Sequence, residues 1–417
     1  MPVSDAIGGD PNAGVLDGIL VVDFTQAIAG PFATRILGEF GARIVKIESF
    51  RGDLVRAVQH RADGAWGPMF GHGSGGKQSI AIDMGTPDGH AIVDRLLDLA
   101  DVVVENFRPG TLERWKFDPV KLTERQRQPV VCSVSGFGRG TGCSAWSATD
   151  PLGQAISGMT YMIGEPGQTP YLAANGIADS TTAMSAATAI LAALIGRQKD
   201  GKGRYIDLAM ADVMLAMDCV NNPVAAAYGD AGFAPLGHDH PAVCPFGVFA
   251  TSDGFVVIQA MGEGEGSTWA SLCKAMDRSD LLTDPRTATA AARLDNREMV
   301  NGAVQHAVKE LLRDDAVRTL QAAGVIAGPV LSPRDAVVHP LFAERGGVHS
   351  VPTDDPSRSQ KMVALPFGAA KLSGAPRRPP MLGEHTRPIL ADLLKLDPGE
   401  IDRLHACGAV RTSTQWP

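Results

Sequence analysis

Short apolar runs alternate with stretches of helical spacing through the first half of the chain. Residues 18–24 (GILVVDF) are apolar and close on polar residues. Gly30-Pro31 then opens a helical stretch, FATRILGEFG. Proline just inside a helix start is favourable, because its missing N–H would have no partner there. A second strand-like run fills 42–48 (ARIVKIE). This spacing is that of a strand–helix–strand unit. The pattern recurs with a strand at 79–84, a helix over 87–99 and strands at 101–105 and 129–135. Alternation of this kind predicts a parallel sheet with helices on both faces.

An Ala-rich helix is expected from about Ser180 to Arg197, then a charged turn (KDGKGR), a strand at 205–208 and a helix over 209–220. Residues 221–245, rich in Gly, Ala, Pro and His, read as a linker. Residues 246–260 read as a hairpin turning at Ser252-Asp253-Gly254. Helices follow at 267–275 and 296–312, and another precedes a loop at 324–333. Residues 351–378 read as irregular, and 387–395 and 399–406 as helical. The expected division is a large α/β domain over 1–220, a small α+β domain over 221–335, and a return of 336–417 to the large domain.

Composition narrows the classes. Of 417 residues, 44% are hydrophobic and 20% charged, as in ordinary globular proteins, which disfavours disordered and collagen-like chains. The net charge of −8 supplies no general field for nucleic acid, so no nucleic-acid partner is expected. Residues 1–14 carry two Asp and no basic residue, unlike a signal peptide. No uninterrupted apolar stretch of membrane-span length is read, and a cytoplasmic location is expected. The six cysteines are scattered without a C-x-x-C pair, which predicts reduced thiols and no metal site.

Few motifs carry chemistry by themselves. The first strand–helix turn, AIAGPFA, has one glycine where a dinucleotide-binding turn has three. Glu48 ends the second strand, where such enzymes hold a ribose, but without the glycines it is weak evidence. Gly262-Glu263-Gly264-Glu265-Gly266 is wrongly spaced for a phosphate cradle, and its glutamates would repel one. It reads either as a mobile loop or as a plain connection. Asp179 stands just before the Ala-rich helix, where it is a candidate helix N-cap. A carboxylate there is also stabilised as the anion, ready to act as a nucleophile. Asp150 reads as a turn residue, and His238 and His240 as loop histidines.

Taken together, the segments resemble the class III CoA-transferase family of CaiB/BaiF type. That family includes formyl-CoA transferase, carnitine CoA-transferase and α-methylacyl-CoA racemase. The matching pieces run in order: residues 18–48, RGDLVR at 51–56, GKQSIAIDMGTPDG at 76–89, DVVVENFRPGTLERW at 101–115 and VSGFG at 134–138. They continue with residues 190–213, VIAGPV at 325–330, HPLFAERG at 339–346 and PMLGEHT at 380–386. The resemblance implies a Rossmann-like large domain, a smaller domain and an interlocked homodimer. It implies CoA transfer from an acyl-CoA donor to a carboxylic acid acceptor, with coenzyme A as substrate and no metal.

By the same resemblance Asp179 is the nucleophile, forming in turn a mixed anhydride and an aspartyl-CoA thioester. Asp150 takes the place of an acidic residue that transferases keep beside the site. Gly262 and Gly264 fall in the loop that covers it. Ala27, Ile28, Lys77, Asn106, Phe107, Arg108, Arg114 and Trp115 fall at CoA-contact positions or beside them. Arg and Lys suit phosphates, and Trp115 or Phe107 suits stacking on adenine. Ser49 stands where formyl-CoA transferase has a basic residue, a loss that Arg51 could offset. Ile28 replaces its glutamine.

Two alternatives stand beside the transferase. The racemase branch needs a His about thirty residues before its Asp, and Thr149 occupies that position here. A non-catalytic CoA-binding protein would have no use for Asp179 or the glycine loop. Ala225, Ala226, Tyr228 and Phe233 suggest an apolar acceptor side, for an acid larger than oxalate.

Overall fold

Runs such as Val102-Val103-Val104, all fully buried, identify strands covered on both faces, as parallel sheets require. In the computed structural model, which describes residues 14–58, 66–229, 233–353, 355, 357–367 and 376–412, these runs form one seven-stranded sheet. Its six parallel strands are β1 (Leu20–Asp23), β2 (Arg43–Glu48), β3 (Gln78–Ile82), β4 (Val102–Glu105), β5 (Val130–Ser135) and β6 (Arg204–Ala209). The spatial order is β3-β2-β1-β4-β5-β6, with Val410–Arg411 antiparallel on the outer edge of β3. The chain order therefore reverses between β1 and β4. A ligand crevice belongs at the carboxyl ends of those two strands.

Alternate side chains feed two cores. Leu20, Val22, Val45, Ile80 and Val103 pack under the helix Pro87–Leu99 and the C-terminal helices Thr386–Asp392 and Pro398–Ala406. Val21, Ile44, Val102, Val130 and Cys132 pack on the opposite face, under the helices Ala29–Glu39 and Ile177–Asp200. The second of these is long and apolar enough to cross a membrane by length and composition. Its Ala183, Ala186, Ile190 and Leu194 nevertheless lie in the core of the sheet domain.

The chain falls into two compact units. One comprises residues up to 160, 172–231 and from 339 onward, and holds the large sheet. The other comprises 161–171 and 232–338. Its antiparallel sheet pairs β7 (Phe246–Ala250) with β8 (Phe255–Gln259), and β8 with β9 (Ile326–Pro329). The helices Thr268–Ala275, Arg297–Val308 and Arg313–Ala322 cover it around Trp269, Val300, Val304 and Leu320.

Several expected loops are structured. Within the expected linker, Asn221–Tyr228 is helical. The loop expected at 324–333 contains β9, whose Gly and Pro are tolerated because it is an edge strand. Where 351–378 was expected to be irregular, β10 (Val348–Pro352) and β11 (Ser359–Val363) form a hairpin. Residues 354, 356 and 368–375 of that stretch lie outside the described residues. Of the hairpin's strand residues only Val351 and Met362 are buried, packing on Trp66, and its other valines, Val348 and Val363, do not alternate with them, so its sequence lacks strand-like alternation. The short helices Pro68–Ser74 and Asp150–Ile156 were also not expected.

Candidate active site

The turn leaving β1 is built for close approach. A Cβ on Gly30 would lie 2.6 Å from the Thr25 Cβ, so the one glycine of AIAGPFA is fixed by packing rather than by a phosphate. Ala27 adopts a left-handed φ of 64°, costly for a residue with a Cβ. Its neighbours hold it there. The Asn106 amide accepts from Gln26 N and donates to Gln26 O, both at 2.8 Å. Asp53 Oδ1 accepts from Ala27 N at 3.1 Å. Asp53 is itself paired with the buried Lys46 at 2.8 Å, and Lys46 donates to Thr25 O.

Two residues singled out from the sequence serve this framework. Lys77 does not reach the crevice. It is 3% exposed, and its ammonium bonds Asp23, Thr34 and Pro31 O at 2.7–2.8 Å. Burial lowers its pKa to about 8 despite Asp23. The expectation that Lys77 binds CoA is therefore corrected: it braces the first turn from beneath. Glu48 holds no ribose either. Its carboxylate is consumed by Arg56, Ser79 and the Asp53 amide.

At the carboxyl ends of β1 and β4 a cleft of about 650 Å³ opens. It is lined by Ala27, Ile28, Asn106, Phe107, Arg108, Asp150 and Asp179, seven of the residues expected at the site. Arg114 and Trp115 do not line it. Trp115 packs edge-on against Phe107 at 5.3 Å, and Arg114 bonds Thr111 at the surface. Sequence reasoning passed over Trp146, Ser147 and Met210, which also line the cleft. Trp146 is 58% exposed, unusual for a tryptophan, and leans on Phe137. Ala225, Ala226 and Tyr228 lie on the helix Asn221–Tyr228 and do not line the cleft.

Asp179 lies in the first turn of the long helix and is not its N-cap, which is Gly176. The capping is done by Asp150. Its Oδ1 accepts from Ala178 N at 2.7 Å and from Asp179 N at 3.1 Å, and its Oδ2 accepts from Gln154. Gly136 lets this segment approach, because a Cβ there would meet the Ala148 Cβ at 2.0 Å. The Asp179 carboxyl makes no side-chain hydrogen bond among the described contacts. Burial, and then the Asp150 charge, raise its pKa to about 6. A poorly solvated carboxylate of this kind, still mostly ionised at pH 7, suits nucleophilic attack.

Gly262 and Gly264 belong to the other unit. Together with Gly266 they have left-handed φ values of 83°, 72° and 88°. The glutamates between them are not both free: Glu263 accepts from Ala290 N, and Arg293 holds Gly262 O. Ser49 and Arg51 are exposed beside each other, joined by an Arg51 N to Ser49 Oγ bond. Among the described residues, no group of three His, Cys, Asp or Glu is placed to hold a metal.

Comparison with known proteins accords with this geometry. The model of CoA-transferase family III matches residues 16–386. The succinyl-CoA:mesaconate CoA-transferase of Haloarcula hispanica is 32% identical over 390 residues, covering 90% of this chain and 96% of that protein. The succinyl-CoA:glutarate CoA-transferase of Homo sapiens is 30% identical over 409 residues, covering 95% and 90%. The crystal structure of a CaiB/BaiF family protein from Brucella suis superposes with a TM-score of 0.82 at 30% identity, covering 91% of this chain and all of that one.

Proposed function

The chain belongs to CoA-transferase family III and is a CoA-transferase enzyme, and from that premise we propose that it moves CoA between carboxylic acids through covalent intermediates on Asp179. One observation carries the proposal. Asp179 stands in the cleft with a raised pKa and no side-chain partner, while Asp150 fixes the backbone that presents it.

The reaction then runs as follows. An Asp179 carboxylate oxygen attacks the thioester carbon of the donor, the C–S bond breaks and CoA thiolate leaves a mixed anhydride. The thiolate attacks the Asp179 acyl carbon and expels the donor acid, giving an aspartyl-CoA thioester. The acceptor carboxylate attacks that carbon and frees the thiolate, which attacks the acceptor carbonyl of the new anhydride. Asp179 leaves as carboxylate. No net proton is taken up and no ATP is consumed, because one thioester and one carboxylate are exchanged for another thioester and carboxylate. Splitting the exchange into these steps is covalent catalysis.

Asn106 orders the turn that lines the cleft, and Arg108 is the cation available there to a phosphate. Phe107, backed by Trp115, and Trp146 offer aromatic surfaces for adenine. Gly262 and Gly264 are assigned to the cover that keeps water from the anhydride. The enzyme is assigned to the cytoplasm as an interlocked homodimer. Exposed apolar side chains on successive helices, among them Leu152, Ile156, Met184, Ile195, Leu215 and Met217, support a partner there. Thr149 in the cleft cannot exchange a proton at neutral pH, which weighs against a racemase.

The test is incubation with succinyl-CoA, the donor named in the relatives, and a panel of acids, with Asp179→Ala alongside. Mass spectrometry is expected to show new acyl-CoA species from the wild type only. Loss of an α-proton from a 2-methylacyl-CoA in deuterated water, without exchange, would instead establish a racemase.

A further inference from the structure

A second cavity, of about 330 Å³, adjoins the cleft, and Ile28 lines both. Its walls are Ile28 and Phe32 from the first turn and helix, Trp66, Met69 from the helix Pro68–Ser74, and Met362 from β11. Among the described residues, this wall carries no carboxylate. The imidazole on the described lining is His72, whose ring lies tilted against Phe32 with centroids 4.6 Å apart and bonds Arg35 through Nδ1 at 3.1 Å. Burial and the Arg35 charge lower the His72 pKa to about 4, so the imidazole is neutral at pH 7. Among the described residues, Lys361 is the one cation on the lining, and it is exposed.

The charges in the main cleft point the same way. Its described lining contains two aspartates and a single cation, Arg108. A dicarboxylate acceptor would bring a second negative charge beside Asp150 and Asp179, with that one cation already wanted by CoA phosphate. A monocarboxylate brings none. An apolar cavity of about 150 Å³ holds a benzene molecule, so about twice that volume holds a ring with a short linker or a chain of several methylenes.

We propose that this cavity receives the apolar tail of the transferred acyl group, and that the acid is a medium-chain or aryl monocarboxylate whose carboxyl lies at Asp179. The proposal rests on the transferase reading. The tail passes over Ile28, where a glutamine would present a polar group and isoleucine presents only methyl and methylene surface. Filling the cavity removes apolar area from water at each added methylene, which sets a specificity that grows with chain length.

The test measures transfer from propionyl-CoA to acetate, butyrate, hexanoate, octanoate, phenylacetate, succinate and glutarate, in the wild type and in Met69→Trp, which puts an indole into the cavity. Calorimetric binding of octanoate to both proteins is measured separately. The expected result is a rise in kcat/KM of about threefold per methylene from butyrate to octanoate. The octanoate-to-acetate ratio is expected to fall at least tenfold in Met69→Trp, with a parallel loss of octanoate binding. Transfer that favours succinate or glutarate over octanoate, with a ranking that Met69→Trp leaves unmoved, would overturn the cavity's role and keep the transferase. Absence of transfer to every acid would overturn the transferase reading. In that event, octanoate binding that is lost in Met69→Trp would still place an apolar acid in the cavity, and absence of octanoate binding would overturn both.

Discussion

Asp179 must be ionised to attack and poorly hydrated to attack well. The structure meets both demands by placing its carboxyl, partly buried, in the cleft near Asp150. Its raised pKa, about 6, has a kinetic consequence. The anion is the active form, so kcat/KM is expected to fall as pH drops through 6. In Asp150→Asn the neighbouring charge is gone while the amide oxygen still caps the long helix. The acid limb is then expected to move to lower pH, as a pH–rate profile would show. A limb that stays in place would mean that burial alone sets the pKa. In the sequence Asp179 stood out because it precedes a predicted helix, whereas Asp150 read as a turn residue and gained a role only from the family resemblance. The resemblance put Lys77 at a CoA-contact position, whereas the structure buries the lysine and pairs it with Asp23. Sequence reasoning also missed Asp53, whose work is done through the Ala27 amide and Lys46.

At the scale of elements, the site is a turn held from below. β1 delivers Gln26–Ala29 to the cleft, and β4 delivers Asn106–Arg108 to meet it. The left-handed Ala27 persists because Asp53 and Asn106 secure the amides on either side. Asp53→Ala would strip the acceptor from Ala27 N and leave Lys46 buried without its carboxylate. Breaking such a pair costs about 3–5 kcal/mol, so a urea midpoint well below wild type is expected, together with a raised KM for the acyl-CoA. Unchanged stability would show that Lys46 finds another partner. The parallel strands were readable as valine runs because burial on both faces removes the need for polar alternation. The β10–β11 hairpin was not, because its few apolar residues, of which Val351 and Met362 rest on Trp66, follow no period of two.

Over the whole molecule, the order β3-β2-β1-β4-β5-β6 places the reversal of strand order at β1 and β4, and the cleft opens there. No sequence period encodes that order. Strand–helix alternation predicts a parallel sheet, and the nearness of residues 26–29, 106–108, 150 and 179 then follows from how the strands are arranged. The return of the chain from residue 339 onward, ending with Val410–Arg411 on the sheet edge, likewise depends on contacts made over more than three hundred residues. The central claim is that Asp179 becomes covalently acylated. The most direct measurement is to mix the enzyme with succinyl-CoA, quench with hydroxylamine, digest, and weigh the peptide carrying Asp179. The account predicts a hydroxamate on Asp179 that requires the donor. Steady turnover with an unmodified Asp179 peptide, and exchange that persists in Asp179→Ala, would contradict it.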